Sequence, residues 1–75
     1  MCNCENKKTE KKEELLALLK HMAHHTEHHT EDLAKYMNDA KELGLSETAE
    51  ELEKSIALSN QLIDALSKAC SFMEE

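Results

Sequence analysis

The sequence has no proline and only one glycine, Gly44. Sheets, tight turns and flexible linkers lean on those residues, so their scarcity leaves helix as the default state. Aromatics are nearly missing too, with only Tyr36 and Phe72. No apolar run approaches the roughly 18 residues that a membrane span requires. The first residues, MCNCENKKTEKKEE, lack the apolar core of a secretory signal. A cytoplasmic protein is expected, in a compartment where thiols stay reduced. No glycine-rich phosphate loop and no nucleophile beside a base occurs, so no enzyme is expected. A carboxylate-bridged di-iron bundle is also not expected, because neither Glu27 nor Glu31 begins a Glu-x-x-His.

What is abundant is charge. A third of the residues are ionisable Asp, Glu, Lys or Arg, and the net charge is −7. Nucleic acid is an unfavourable partner for such a surface, whereas cations are attracted to it. With 75 residues the chain forms one domain. A core of that size supplies little stability without a metal, a disulfide or a second copy. The three cysteines cannot pair off completely within one chain.

Two helices account for nearly everything. Residues 1–8 read as a flexible tail. Thr9 is a candidate N-cap, with Glu10, Glu13 and Glu14 near the positive helix end. Helix one then runs over 9–43 with a seam of Leu15, Leu19, Met22, Thr26, His29, Leu33, Tyr36, Ala40 and Leu43. Gly44 suits the left-handed residue that ends a helix, and Leu45 the hydrophobic contact that follows it. Ser46 is the expected cap of helix two, 46–73, whose seam reads Ala49, Leu52, Ile56, Ser59, Ile63, Leu66, Cys70 and Met73. Laid antiparallel, Tyr36 meets Leu52, Leu33 meets Ile56, Thr26 meets Ile63, Met22 meets Leu66, Leu19 meets Cys70 and His29 meets Ser59. An all-α antiparallel hairpin is therefore predicted. Leu58, Leu62, Ala65, Ala69 and Phe72 form a second apolar stripe on helix two, which predicts a homodimer built as a four-helix bundle.

All five histidines lie between residues 21 and 29, in the run HMAHHTEHHTED. Imidazoles three or four residues apart sit on neighbouring turns, where two can grip one ion. His25 with His28 is the preferred metal pair, with His21 or His29 as additional ligands. Each metal–nitrogen bond is about 2 Å, so the whole row cannot serve one ion. The missing ligands are expected from the same histidines of a second subunit. Imidazole favours Zn²⁺, Ni²⁺, Co²⁺ or Cu²⁺. Neutral ligands are required, so affinity falls as pH drops through the ordinary imidazole range near 6.5. Without metal, the same residues read as a polar core layer, His29 against Ser59, or as a pH-sensitive interface. His24 reads as a solvated surface residue.

Cys2 and Cys4 form a CxC pair suited to a soft ion or to redox chemistry, with Cys70 within reach of the tail. Alternatively the tail is idle, and Cys70 is a small buried hydrophobe facing Leu19. The expected function is a non-catalytic carrier, buffer or sensor accessory for a transition metal. The competing expectation is a helical interaction module that docks on a protein partner.

The run LALLKHMAHHTEHHTEDL, residues 16–33, resembles a motif of small helical-hairpin proteins and domains from anaerobic bacteria and archaea. That motif reads roughly LALLKYMxxHNxHHxEEL and often follows histidine-rich segments of metal-handling type. The resemblance covers about a quarter of the chain. It places His25, His28 and His29 on the family's histidines and Leu33 on its closing leucine. His21 and His24 depart from it, as does Thr26 where asparagine is usual. The resemblance implies a hairpin and emphasises three histidines; it implies no particular activity.

Overall fold

The computed structural model describes the backbone of residues 3–74 and the side chains of residues 10–74. Two helices make up the fold: α1, Asn3–Glu42, and α2, Ser46–Glu74. They pack side by side in an antiparallel hairpin. The molecule measures 66 × 16 × 13 Å. A forty-residue helix is about 60 Å long, so α1 sets the length. The cross-section is two helices wide and one deep.

The link between the helices is a Schellman turn. Gly44 adopts φ +74°. The Leu45 N–H donates to the Ala40 carbonyl at 2.8 Å, and the Gly44 N–H to the Lys41 carbonyl at 3.1 Å. These bonds satisfy carbonyls that the end of α1 would otherwise leave bare. In α2 the first backbone bond runs from the Ala49 N–H to the Leu45 carbonyl at 2.9 Å. The cap position therefore falls on Leu45, one residue ahead of the expected Ser46.

The start of α1 also differs from expectation. Its helical backbone begins at Asn3, so Thr9 lies inside the helix and residues 3–8 are not a coil tail. The segment NCENKKTEKKEE holds no glycine or proline and is rich in Lys and Glu, which favour helix. Lys and Glu spaced three or four apart add support along the helix surface. This part of α1 projects past the end of α2.

The seam of α2 is the expected one. Ala49 and Cys70 are buried, while Leu52, Ile56, Ser59, Ile63, Leu66 and Met73 are half-buried. The seam of α1 is half right. Leu19, Thr26, Leu33 and Ala40 face inward, but the rungs between them are Leu16, Ala23, Thr30 and Met37. The expected rungs Leu15, Met22, His29 and Tyr36 are exposed. Both sets keep a 3-4 spacing because they share every second residue.

The observed set gives one constant register about the turn. Ala40 lies level with Ala49, Met37 with Leu52, Leu33 with Ile56 and Thr30 with Ser59. Thr26 then lies level with Ile63, Ala23 with Leu66, Leu19 with Cys70 and Leu16 with Met73. Small residues let the helices approach closely. The two threonines tolerate burial because each hydroxyl is satisfied within its own helix. Thr26 Oγ1 donates to the Met22 carbonyl, and Thr30 Oγ1 to the Thr26 carbonyl, both at 2.8 Å. A histidine on the seam would have brought two ring nitrogens into a layer where only Ser59 stands opposite. The polar layer is thus Thr30 with Ser59, not His29 with Ser59.

This register divides the outside of the hairpin into two flanks. On one, Lys20 Nζ bridges to Glu74 Oε2 at 3.3 Å across the helices. The same flank holds a shallow groove lined by Ala23, His24, Glu27, Ile63, Ser67 and Cys70. In an antiparallel pair the residues just before each inner rung meet on the opposite flank. There α1 presents Leu15, Leu18, Met22 and Tyr36, all about half-exposed or more. Beside them α2 presents Leu58, Leu62 and Phe72, exposed by 64%, 49% and 75%. One flank is polar and the other apolar.

Candidate metal-binding site

The histidines occupy the middle of α1, where the helix is regular and every ring is exposed. Side chains four residues apart differ by only about 40° around a helix, and those three apart by about 60°. The rings accordingly meet at the longer spacing. His25 Nε2 lies 2.9 Å from His29 Nε2, with ring centroids 4.4 Å apart. His24 Nε2 lies 3.2 Å from His28 Nε2, with centroids 4.7 Å apart. In both pairs the rings stand nearly perpendicular, at 86°. His21 stacks loosely on His25, at 6.1 Å between centroids.

The preferred pair of the sequence reading, His25 with His28, is therefore divided. Each of its members converges with a different imidazole. His29 leaves the seam and becomes a partner of His25. His24, expected to be a solvated bystander, becomes a partner of His28. Sequence spacing contained both options. Ring orientation across the turns separates them.

The two pairs sit in different surroundings. His24 and His28 lie on the polar side and outer surface of α1. His24 Nδ1 is 3.8 Å from Glu27 Oε2, and His28 Nδ1 is 3.9 Å from Glu31 Oε2. Those distances are too long for hydrogen bonds. The His25–His29 pair lies on the apolar flank, between Met22 and Tyr36 along α1.

At these separations one ring of each pair donates Nε2–H and the other accepts through its lone pair. A metal ion bound between the nitrogens would take the place of that proton. A spacing of 2.9 Å subtends about 90° at an ion with bonds of about 2.1 Å, and 3.2 Å subtends about 100°. Tetrahedral coordination needs nitrogens about 3.4 Å apart. The tighter pair has the bite of square-planar or octahedral coordination. Among the described residues no group of three or more His, Cys, Asp or Glu side chains converges on one point. One hairpin therefore offers two ligands at each place.

The cysteines do not join this arrangement. Cys70 is a free, buried thiol level with Leu19. Cys4 lies on the helical backbone of α1, about 22 Å along the axis from Leu19. The helical backbone carries Cys4 along α1 away from the level of Cys70. Cys2 and the Cys4 side chain lie outside the described residues.

Residues 15–73 match the family described as Domain of unknown function (DUF8180). The chain belongs to this family. Its matched span coincides with the paired part of the hairpin, from the first rung of α1 to the last of α2, and contains all five histidines. The CxC segment lies outside it. Comparisons with curated proteins and with solved structures return no match. No helix among the described residues is long and apolar enough to cross a membrane.

Proposed function

We propose that this DUF8180 protein reversibly binds a divalent transition-metal ion through paired imidazoles on α1. The observation that carries this reading is the convergence of two overlapping pairs through Nε2, at 2.9 and 3.2 Å. The donor set, neutral nitrogen without thiolate, suits Ni²⁺, Cu²⁺, Co²⁺ or Zn²⁺. The narrow bite of His25–His29 favours Ni²⁺ and Cu²⁺ over tetrahedral Zn²⁺.

Two ligands per place make an exchangeable site, which fits a carrier, buffer or sensor accessory better than a structural centre. The test is titration of the purified chain with Ni²⁺, Cu²⁺ and Zn²⁺ in turn, followed by calorimetry and mass spectrometry under native conditions. Stoichiometric uptake that is lost in a chain with all of His24, His25, His28 and His29 changed to Ala supports the reading. Uptake unchanged by those four substitutions refutes it. The rival reading, an interaction module without metal, draws on the apolar flank.

A further inference from the structure

The polar flank is closed by its own side chains, and the apolar flank has nothing over it. We infer that a second copy of this chain covers the apolar flank, and that the His25–His29 pair meets its twin there to form one four-nitrogen centre. This inference rests on the metal-binding reading and names the partner that completes the site.

The first argument is area. Leu15, Leu18, Met22 and Tyr36 on α1, with Leu58, Leu62 and Phe72 on α2, keep about half or more of their surface exposed. Together they leave roughly 700 Å² of side chain in water, close to the ~800 Å² per partner in a standard interface. Among the described residues no large side chain is fully buried, and the buried apolar residues are Ala40, Ala49 and Cys70. A fold with so little interior gains most from covering that flank.

The second argument is symmetry. The rungs run from Leu16 with Met73 to Ala40 with Ala49, so Thr26 to Thr30 lie near the middle of the paired length. His25 and His29 occupy that middle, on the apolar side. Consider a two-fold axis lying in the interface, across the helices, and passing between His25 and His29. It lays α1 antiparallel on α1 of the second copy and α2 on α2. His25 then comes level with the second copy's His29, Leu18 with its Tyr36, and Leu62 with itself. One operation brings imidazole to imidazole and Leu18 to Tyr36, while Met22 comes level with the second copy's Asp32. A two-fold axis along the helices instead sets α1 against α2, which has no histidine.

The third argument is coordination. Two nitrogens with a bite of about 90° form half of a square-planar set, and the same pair turned through the axis supplies the other half. Among the described residues of one hairpin no further ligand converges there.

The experiment uses the full chain carrying His21→Ala, His24→Ala and His28→Ala, so that only the His25–His29 pair remains. Ni²⁺ alone is titrated, with mass spectrometry under native conditions and sedimentation velocity as readouts. One Ni²⁺ per two chains is expected, with dimer affinity at least tenfold higher in saturating Ni²⁺. Adding Leu62→Glu sets two carboxylates against each other on the axis. That variant is expected to remain helical by circular dichroism, to be monomeric and to bind Ni²⁺ at least tenfold more weakly. Leu58→Lys, on the same stripe, repeats the test should Leu62→Glu lose helicity. One Ni²⁺ per chain in a monomer overturns the shared centre and leaves metal binding intact. Ni²⁺ affinity unchanged by a helical, monomeric Leu62→Glu or Leu58→Lys chain overturns it as well. Uptake unaffected by further change of His25 and His29 to Ala removes both this centre and its metal reading.

Discussion

The two flanks of the hairpin are built from the same two helices, one residue apart on each seam, and they behave oppositely. On the polar flank Lys20 reaches Glu74, and His24 and His28 have Glu27 and Glu31 within charge range. Every group there has water or a counter-charge, so nothing further is required. On the apolar flank leucines, Met22, Tyr36 and Phe72 stand in water beside His25 and His29. Asp32 and Asp39, just before the rungs Leu33 and Ala40, join the histidines as the polar groups that α1 brings to that flank. A single residue of helix rotation, about 100°, decides which group of side chains belongs to which role.

Neighbours in sequence test this division most strongly. Ile63 is a seam rung, whereas Leu62 lies on the apolar flank. Ile63→Asp should strongly destabilise the hairpin, because it puts a carboxylate on a half-buried seam rung in place of an apolar side chain, at a cost of roughly 3 kcal/mol. Loss of the helical circular dichroism signal checks this. Milder truncations sharpen the contrast. Ile63→Ala should cost about 2 kcal/mol in urea denaturation, at the low end for a half-buried site. Leu62→Ala, measured at concentrations where the chain is monomeric, should cost less than about 0.5 kcal/mol. Equal losses at the two positions would erase the distinction between seam and flank.

The turn comes next in size. Nothing lies within 4 Å of a Cβ built on Gly44, so only its φ of +74° resists substitution. Gly44→Ala should therefore destabilise by about 1 kcal/mol without altering the helices. Unchanged stability would mean that the turn can relax to another conformation.

On the metal-binding reading, protons compete with metal for the same nitrogens on both flanks. The ligands must be neutral, so uptake of Ni²⁺ should be stronger at about pH 8 than at about pH 5. Calorimetry at the two pH values reads this, and equal affinity would point to carboxylate ligands instead. The smallest effect is expected on the polar flank. Lys20 and Glu74 keep 57% and 52% of their side chains exposed. Lys20→Ala should change stability by less than about 0.5 kcal/mol.

Much of this molecule is legible before any coordinates. Glycine at 44 alone, with no proline anywhere, places the single turn. The seam of α2 reads directly, since Leu52, Ile56, Ile63 and Leu66 extend the 3-4 spacing back to Ala49, whereas the rival stripe begins only at Leu58. The seam of α1 does not, because two stripes share Leu19, Thr26, Leu33 and Ala40. Size and hydrophobicity favour Leu15, Met22 and Tyr36, yet the helices select Leu16, Ala23, Thr30 and Met37. A signal was available in the polarity of the flanks. Only the second choice puts Lys20 and Glu27 on the side of Ser67 and Glu74, and leaves the remaining apolar residues of both helices together.

The histidine run shows the same limit at closer range. Its concentration on one helix, and the potential for pairing across one turn, follow from spacing alone. Which ring meets which does not, since spacings of three and four both lie within reach of an imidazole. The sequence by itself determined two helices, one turn and an imidazole-rich middle, because periodicity and backbone preference are local properties of the chain. The rotation of α1 about its axis was decided only when it packed against α2. Close approach, buried hydroxyls and the company of neighbouring flanks are energies that exist between helices and not within either one.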